Sequence, residues 1–202
     1  MPTGVPIHDI QEQLLAAAER VLLRDGPDAL TSRAVTTEAG VAKGILYRHF
    51  PDLDTFLATF VLSRIEQLDA QSAELRASAG TGSLGENLAT ALVDALDPTA
   101  TQIISLVCCR RSLLERLRVT TPDGIPLLAE TARMIAAYLT AERGLGRIAL
   151  TVNVDTLALM LVGGAYLLIA PDPGGPPDRL HDLVASTLHT VAPEKPARNA
   201  QI

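Results

Sequence analysis

A group of cationic and hydrogen-bonding side chains lies close together in the N-terminal quarter of the chain. Its members carry an ammonium, a phenol, a guanidinium and an imidazole, and they are Lys43, Tyr47, Arg48 and His49. Lysine neutralises phosphates, arginine binds phosphates or guanine edges, and tyrosine and histidine donate hydrogen bonds to phosphate oxygens. This combination of side chains predicts contact with DNA.

Two short helices joined by a glycine turn would position this group. Thr31 is a suitable N-cap for the first helix, and Gly40 can adopt the positive φ that a tight turn between helices requires. Gly44 would let the second helix approach a duplex closely, and Ile45 could contact a thymine methyl. The apolar residues that could form a small core across the turn are Val35, Ala39, Val41, Leu46 and Phe50. Residues 31–50 therefore have the layout of a helix-turn-helix, whose second helix enters a major groove.

The order AGVAKGILYRHF, preceded by an amphipathic helix and followed by Pro51-Asp52-Leu53, resembles the tetracycline-repressor (TetR) family. The similarity extends over roughly residues 7–68, with the turn glycine, Lys-Gly, Leu-Tyr and His-Phe at the family's spacing. It implies that the start of the first short helix also meets the DNA backbone. The expected DNA-binding residues are Thr31, Arg33, Lys43, Gly44, Ile45, Tyr47, Arg48 and His49.

Two positions depart from the family's pattern. His8-Asp9 stands where many members have Arg or Lys in the first helix, and Leu53 stands where a Lys near the start of the fourth helix is usual. Both departures remove a contact with phosphate, so they predict a weaker grip on the DNA backbone.

The charge of the chain limits how it could bind nucleic acid. A formal net charge of −6 excludes a protein that coats nucleic acid over its whole surface, so a basic patch must be local. Within residues 31–50 three cations, Arg33, Lys43 and Arg48, stand against Glu38, which leaves a local charge of +2. No paired nucleophile or phosphate-cradling glycine loop is evident, and the four histidines are far apart in sequence. The chain is therefore expected to be neither an enzyme nor a cofactor- or metal-binding protein.

Hydrophobic periodicity and the abundance of Leu and Ala predict an all-α fold of about nine helices. We expect a helix-turn-helix DNA-binding domain at residues 7–51 and an effector-binding and dimerisation domain at 52–192. The second domain begins with a long linking helix that ends at a flexible break, residues 78–85, and residues 193–202 are expected to be disordered. The predicted helices comprise residues 7–24, two short helices within 31–50, and residues 52–77, 84–96, 99–118, 125–143, 151–170 and 178–191.

The resemblance implies a small-molecule effector, which would bind between the linking helix and the helices that start near residues 84, 99 and 125. The chain has no Trp, three Phe and three Tyr, which disfavours a multi-aromatic cage for a large cation. We therefore expect a mainly aliphatic or amphipathic ligand. The expected effector-binding residues are Phe60, Arg64, Leu92, Ile103, Val107, Arg110, Met134 and Tyr138.

The segment 151–170 is apolar nearly all round, so every face of its helix must be covered. Gly163-Gly164-Ala165 would let another helix come close. Two terminal helices from each of two chains could form a four-helix bundle, and burial within one chain is the alternative. A twofold dimer would set two recognition helices into successive grooves of a near-palindrome. The expected interface residues are Leu159, Gly163, Gly164, Leu167 and Leu183.

The adjacent residues Cys108 and Cys109 have two interpretations. They could sense thiol oxidation or bind a soft metal, but no cluster of further ligands lies nearby in sequence. Packing as small apolar residues on a buried helix is the preferred interpretation. Arg110-Arg111 could likewise balance an anionic effector or belong to a solvated helix face.

The sequence shows no basic start followed by an apolar run, so no signal peptide is expected. The longest uncharged run, residues 156–171, is short for a membrane span. A cytoplasmic one-component transcriptional regulator follows, usually a repressor that a small effector releases from its operator. Two alternatives remain: a helical ligand-binding or scaffolding protein with weakened DNA binding, and a small helical enzyme.

Overall fold

The computed structural model describes residues 7–171 and 178–189, with side chains from residue 10 onward. Within these ranges the chain contains ten α-helices and no strand, which confirms the all-α class. The helices are α1 (Ile7–Asp25), α2 (Ser32–Glu38), α3 (Lys43–His49), α4 (Leu53–Ala77), α5 (Leu84–Ala95), α6 (Pro98–Cys109), α7 (Arg111–Leu117), α8 (Leu128–Gly144), α9 (Val154–Ile169) and α10 (Asp178–His189). A 3-10 turn, Pro27–Ala29, separates α1 from α2. The predicted disordered tail lies outside the described residues.

One predicted helix is divided in two. Instead of a single helix over residues 99–118, the backbone at Arg110 is extended, with φ −113° and ψ 94°, and separates α6 from α7. No Gly or Pro stands within residues 104–118 to mark the break, so periodicity alone predicts a continuous helix. Tertiary contacts of the Arg110 side chain accompany the break and are described below.

The chain divides into two compact units. Unit 1 contains the chain up to residue 67 together with residues 96–130, and unit 2 contains residues 68–95 together with the chain from 131 onward. In unit 1, α1 packs against α2 and α6, and α2 packs against α3. In unit 2, α10 packs against α5 and α9. Compactness and function need not divide a chain at the same residues, so the expected functional boundary near residue 51 stays a prediction.

The core of unit 1 forms from the helix faces that the periodicity predicts. On α1 the fully buried residues are Leu14, Ala17, Ala18, Val21 and Leu22. On α4, Phe56 and Leu57 are fully buried, and the ring of Phe56 meets Phe50 edge-on with 5.1 Å between centroids. Edge-to-face aromatic pairs stabilise beyond the area they bury. This core holds the short helices α2 and α3 in place.

Within the described residues no single helix is long and apolar enough to cross a membrane. The consecutive helices α5 and α6 reach the required length and hydropathy only when they are taken together.

Unit 2 contains a buried ionic network at the end of α8. The carboxylate of Glu142 is fully buried and accepts hydrogen bonds from Arg147 Nη1 at 3.2 Å and from the Gly80 backbone N–H at 3.3 Å. Arg147 Nη2 also donates to the Gly82 carbonyl at 2.8 Å. The pKa of Tyr138 is raised to about 12. Burial is the larger cause, and a hydrogen bond to Glu142 is the second. These hydrogen bonds connect the loop between α4 and α5 to α8.

Replacement of Glu142 by alanine should destabilise the chain, because the Gly80 N–H and the Arg147 guanidinium would lose a buried acceptor. We expect the free energy of unfolding to fall by about 3 kcal/mol in urea titrations followed by circular dichroism. Glu115→Ala is the matched control, because Glu115 pairs with Arg111 on the solvent-exposed face of α7 at 2.9 Å. That variant should change stability by less than about 0.5 kcal/mol. Equal effects in the two variants would contradict a structural role for the buried network.

Candidate nucleic-acid interface

Local hydrogen bonds and a small core define the helix-turn-helix. The Thr31 hydroxyl accepts from Ala34 N–H at 3.1 Å, which confirms the predicted N-cap of α2. Gly40 has φ +68°, and the following Val41 N–H donates to the Thr36 carbonyl at 2.9 Å, so the turn has the left-handed residue that it requires. Of the predicted small core, Val35, Ala39, Leu46 and Phe50 are buried and Val41 is half-buried.

The opposite face of α3 is turned to solvent. Lys43, Gly44, Tyr47 and Arg48 are exposed, and on α2 and its cap Thr31 and Arg33 are exposed as well. Ile45 and His49 are half-buried, so less of each side chain is accessible to a partner than the sequence suggests. The structure therefore brings most of the expected DNA-binding residues onto one accessible surface.

A contact between α2 and α3 was not expected from the sequence. The Tyr47 hydroxyl donates to Ser32 Oγ at 3.2 Å and fixes the position of the phenol. Ser32 is in the first turn of α2, beside the capping Thr31, but fifteen residues of separation give no periodic signal for the pair. Ser32 joins the candidate surface as a residue that sequence reasoning missed.

The one carboxylate within residues 31–50 is already neutralised. Glu38 accepts hydrogen bonds from Arg20 at 2.7 Å and from Arg24 at 2.8 Å, and these bonds hold the pKa of Glu38 below its usual range. Arg33, Lys43 and Arg48, by contrast, have no ion pair within the described part of the chain. The exposed surface of the helix-turn-helix therefore carries free positive charge, although the whole chain is acidic.

A capping cluster supports the start of α4, directly after the helix-turn-helix. Asp52 Oδ1 accepts from the Thr55 N–H at 2.6 Å and from its hydroxyl at 2.8 Å, and these bonds lower the pKa of Asp52. Arg116 of α7 reaches the same cluster, with Nη2 at 3.1 Å from Asp52 Oδ2 and Nη1 donating to the Thr55 hydroxyl at 2.8 Å. In place of the phosphate-binding lysine usual near this point, the chain has the half-buried Leu53.

Arg110, at the break between α6 and α7, contacts both ends of the same segment. Its Nη2 donates to the Leu30 carbonyl at 3.4 Å, just before α2, and its Nη1 lies 3.6 Å from Asp54 Oδ1 in the first turn of α4. Arg110 is one of the expected effector-binding residues, and its guanidinium contacts the elements that position the candidate interface.

The other expected effector-binding residues are distributed over both units. In unit 1, Phe60, Ile103 and Val107 are buried core residues, while Arg64 pairs with Asp97 at 2.7 Å. In unit 2, Leu92, Met134 and Tyr138 are buried. Unit 2 also contains a cavity of about 240 Å³ between α4 and α5, and Met134 is the member of the expected set that lines it. The effector-binding set as a whole stays a prediction.

The expected dimer residues divide into two groups. Gly164 packs within the chain, because a Cβ added there would be only 2.8 Å from Leu183 Cδ2 of α10. The close helix approach that the glycine pair predicts is therefore made by α9 and α10 of one chain. Leu159 and Leu167 are 64% and 75% exposed and share their face with the exposed Gly163 and Met160. An apolar stripe on α9 thus faces solvent.

The preferred interpretation of the two cysteines, packing on a buried helix, is wrong. Cys108 and Cys109 are both free thiols and both exposed, because α6 ends at Cys109 and the pair lies at its terminus and not within a buried turn. The pKa of the Cys108 thiol is raised, mainly because neighbouring atoms exclude some water from it and secondly because of the adjacent Cys109. A raised pKa reduces the thiolate population and with it the reactivity.

Residues 14–58 match the family model of the bacterial regulatory proteins of the tetR family. The matched segment contains α1 from residue 14 onward, the whole helix-turn-helix and the start of α4. The resemblance to the TetR family is confirmed.

Solved structures of TetR-type regulators share the fold over most of the chain. A TetR-family transcriptional regulator from Mesorhizobium loti is 17% identical, with TM-score 0.69, covering 94% of this chain and 100% of its own. A gamma-butyrolactone receptor is 17% identical, with TM-score 0.66 and coverage of 94% and 92%. NalD, the secondary repressor of the MexAB-OprM multidrug efflux pump in Pseudomonas aeruginosa, is 16% identical, with TM-score 0.63 and coverage of 94% and 100%. No curated protein sequence matches the chain.

Two glycines of the TetR-type helix-turn-helix should respond differently to the same substitution. Gly40→Ala places a Cβ at φ +68° and should lower the free energy of unfolding by about 1–2 kcal/mol. Gly44→Ala is the control, because its added Cβ would meet no described atom beyond its own helix within 4 Å. It should raise stability by up to about 1 kcal/mol through helix propensity. Thermal and urea unfolding of both variants would measure this, and equal stabilities would contradict the strained-turn assignment.

Proposed function

We propose that the protein is a one-component transcriptional regulator that binds operator DNA as a homodimer and is released by a small effector. The observation that carries the proposal is the exposed surface of α3, on which Lys43 and Arg48 have no ion pair within the described residues and Gly44 leaves the helix backbone open. A helix with these features can enter a major groove and bind the flanking phosphates.

Each exposed residue has a physical role in this proposal. Lys43 and Arg33 neutralise phosphates, and Arg48 binds a phosphate or a guanine edge. Ser32 accepts the Tyr47 hydroxyl hydrogen, so its own hydrogen is available for a phosphate oxygen. Tyr47 is held against α2 and contributes shape and apolar contact.

Removal of Lys43 should weaken DNA binding and reduce its salt dependence. Genomic fragments of the source organism that the protein retains would provide operator candidates. In salt titrations on such a fragment, the slope of log K against log salt is negative. Lys43→Ala should make this slope less negative by about 0.9, the value for one lost phosphate contact. Arg111→Ala is the matched control, since it also removes one positive charge but from the exposed face of α7.

The controls also separate the main proposal from its rival. Equal slopes in Lys43→Ala, Arg111→Ala and the wild type would refute the proposed contact. Absence of salt-dependent binding to any duplex by the wild type would favour a helical ligand-binding or scaffolding protein. This alternative is retained because residues 8, 9 and 53 lack the basic side chains that would contact phosphate.

The solvent-facing stripe of α9 supports the proposed homodimer. Leu159, Met160 and Leu167 expose most of their side chains, and an apolar helix face of this kind is stabilised when a second chain covers it. In the proposed dimer Gly163 lies at the interface, while Gly164 and Leu183 hold α9 and α10 of each chain together.

An acidic residue in the stripe should prevent dimerisation. Leu167→Glu would place a charge in the buried interface, and sedimentation velocity at micromolar concentration should then show a monomer in place of the wild-type dimer. Leu150→Glu makes the same change at a leucine that is 83% exposed but lies before α9, and it should leave the dimer intact. A monomeric wild type, or a dimeric Leu167→Glu variant, would contradict this interface.

Release by an effector requires a difference in affinity. The effector shifts the protein away from DNA only if it binds more tightly to a dimer geometry that mismatches successive grooves than to the DNA-bound geometry. A repressor, located in the cytoplasm and without catalytic activity, is the form of regulator that we propose.

A further inference from the structure

We propose that Gln13 of α1 is a positioning residue for operator recognition, because it holds in place the turn from which α3 begins. Its Nε2 donates a hydrogen bond to the Ala39 carbonyl at 2.8 Å, although twenty-six residues separate the pair. Gln13 is not one of the residues expected to contact DNA, and it acts through the backbone of the turn. The inference rests on the proposed function, since it concerns how the same surface reads an operator.

The end of α2 has one carbonyl that the local backbone leaves without a donor. α2 closes in a Schellman motif, in which the Gly40 N–H donates to the Thr37 carbonyl at 3.1 Å and the next N–H to the Thr36 carbonyl at 2.9 Å. The Ala39 carbonyl takes no part in this motif, and within the described residues Gln13 supplies its hydrogen bond. A side chain of another helix therefore completes the C-terminal end of α2.

The first turn of α3 receives little support of its own. Its N-cap, Ala42, makes no side-chain capping hydrogen bond, and Lys43 and Gly44 are exposed. The first fully buried residue of the helix is Leu46, so packing on the core fixes mainly the C-terminal half. The N-terminal residues of a recognition helix are those that contact base edges. The half of α3 that would read bases is therefore positioned through the preceding turn, which Gln13 holds.

The Gln13 hydrogen bond is better suited to fix a direction than to stabilise the fold. Because Gln13 is exposed, water could replace its amide at the Ala39 carbonyl, so the net contribution to stability is small. On the same face of α1, at i+7 and i+11 from Gln13, Arg20 and Arg24 bind the neighbouring Glu38 at 2.7 Å and 2.8 Å. These three contacts attach the end of α2 to α1 and limit the rotation of the turn.

Affinities for an operator fragment and for a random duplex of equal length, measured at one salt concentration, would test this role. Gln13→Met keeps the length of the side chain and removes the donor. It should lower the ratio of the two affinities at least about fivefold, the discrimination of one base-edge contact. Binding to the random duplex should stay within about twofold of wild type, because no phosphate contact is lost. Gln11→Met is the matched control, since Gln11 lies on the same helix and has no hydrogen bond within the described residues.

Gln13→Lys separates a positioning role from a general structural one. Lysine restores a donor to the carbonyl at the end of α2, and its added charge strengthens binding to both duplexes alike. The ratio should therefore return to the wild-type value. An unchanged ratio in Gln13→Met, an equal loss in Gln11→Met, or no recovery in Gln13→Lys would overturn the proposal. A parallel loss on both duplexes would also overturn it, because that result indicates a direct phosphate contact or a loss of folded protein.

Amide hydrogen exchange tests the same inference without DNA. In Gln13→Met the N–H groups of Val41 and Ile45, which each donate to a backbone carbonyl at 2.9 Å, should exchange about fivefold faster than in the wild type. The N–H of Phe50, at the other end of α3, should keep its rate. Equal rates in the two proteins, or equal acceleration at all three amides, would contradict the positioning role.

The outcomes also separate this inference from the proposed function. Absence of operator binding by the wild type would refute the proposed function and this inference with it. Operator binding that Gln13→Met leaves unchanged would refute this inference alone.

Discussion

A seven-residue helix cannot maintain its own structure in water, and the whole candidate interface depends on such a helix. α3 is stable only because Leu46 is fully buried and Phe50, at its C-terminal end, meets Phe56 of α4. The positive φ of Gly40 then determines the direction in which α3 leaves the turn. Every exposed group on α3 therefore has its position set by packing on the opposite side. Mutations far from the surface that loosen α1 or the start of α4 would move Lys43 and Arg48 as surely as changes beside them.

The exposed charge of the candidate interface is likewise determined by contacts made elsewhere in the fold. The chain is acidic overall, so a basic surface survives only where the nearby carboxylates are paired elsewhere. Glu38 is paired with Arg20 and Arg24 of α1, so it does not pair with the cations of α3. Asp52 and Asp54 are likewise engaged with Arg116 and Arg110. These pairs are partly exposed, and each contributes little to stability. Their larger effect is to leave Arg33, Lys43 and Arg48 as exposed positive charges without an ion pair on the surface that we propose to bind DNA.

The sequence predicts features whose cause is local and misses those whose cause is tertiary. The cap at Thr31, the turn at Gly40 and the apolar faces of α1 and α4 follow from propensity and periodicity, and all are present. The helix break at Arg110 has no local signal, because it accompanies side-chain contacts with Leu30 and Asp54. The error over Cys108 and Cys109 follows directly from that missed break, since a helix end exposes what a helix interior would bury. The glycine pair predicts a close helix contact correctly, but not that α10 of the same chain makes it.

The contacts of α6 and α7 also bear on the free energy that could couple a proposed effector site to the candidate interface. Arg110, at the break between these helices, contacts Leu30 two residues before α2 and Asp54 in the first turn of α4. Arg116 of α7 contacts Asp52 and Thr55 at the start of α4, so the two arginines reach both sides of the helix-turn-helix. A change in the direction of α7 would be felt at both ends of the segment. Because the pairs are partly solvated, each is worth at most about 1 kcal/mol, and together they match the coupling of about 1–3 kcal/mol that is typical between an effector site and a binding site. In the proposed regulator, contacts of this strength would allow the binding energy of one small molecule to shift the position of α3, whereas a rigid buried connection would resist it.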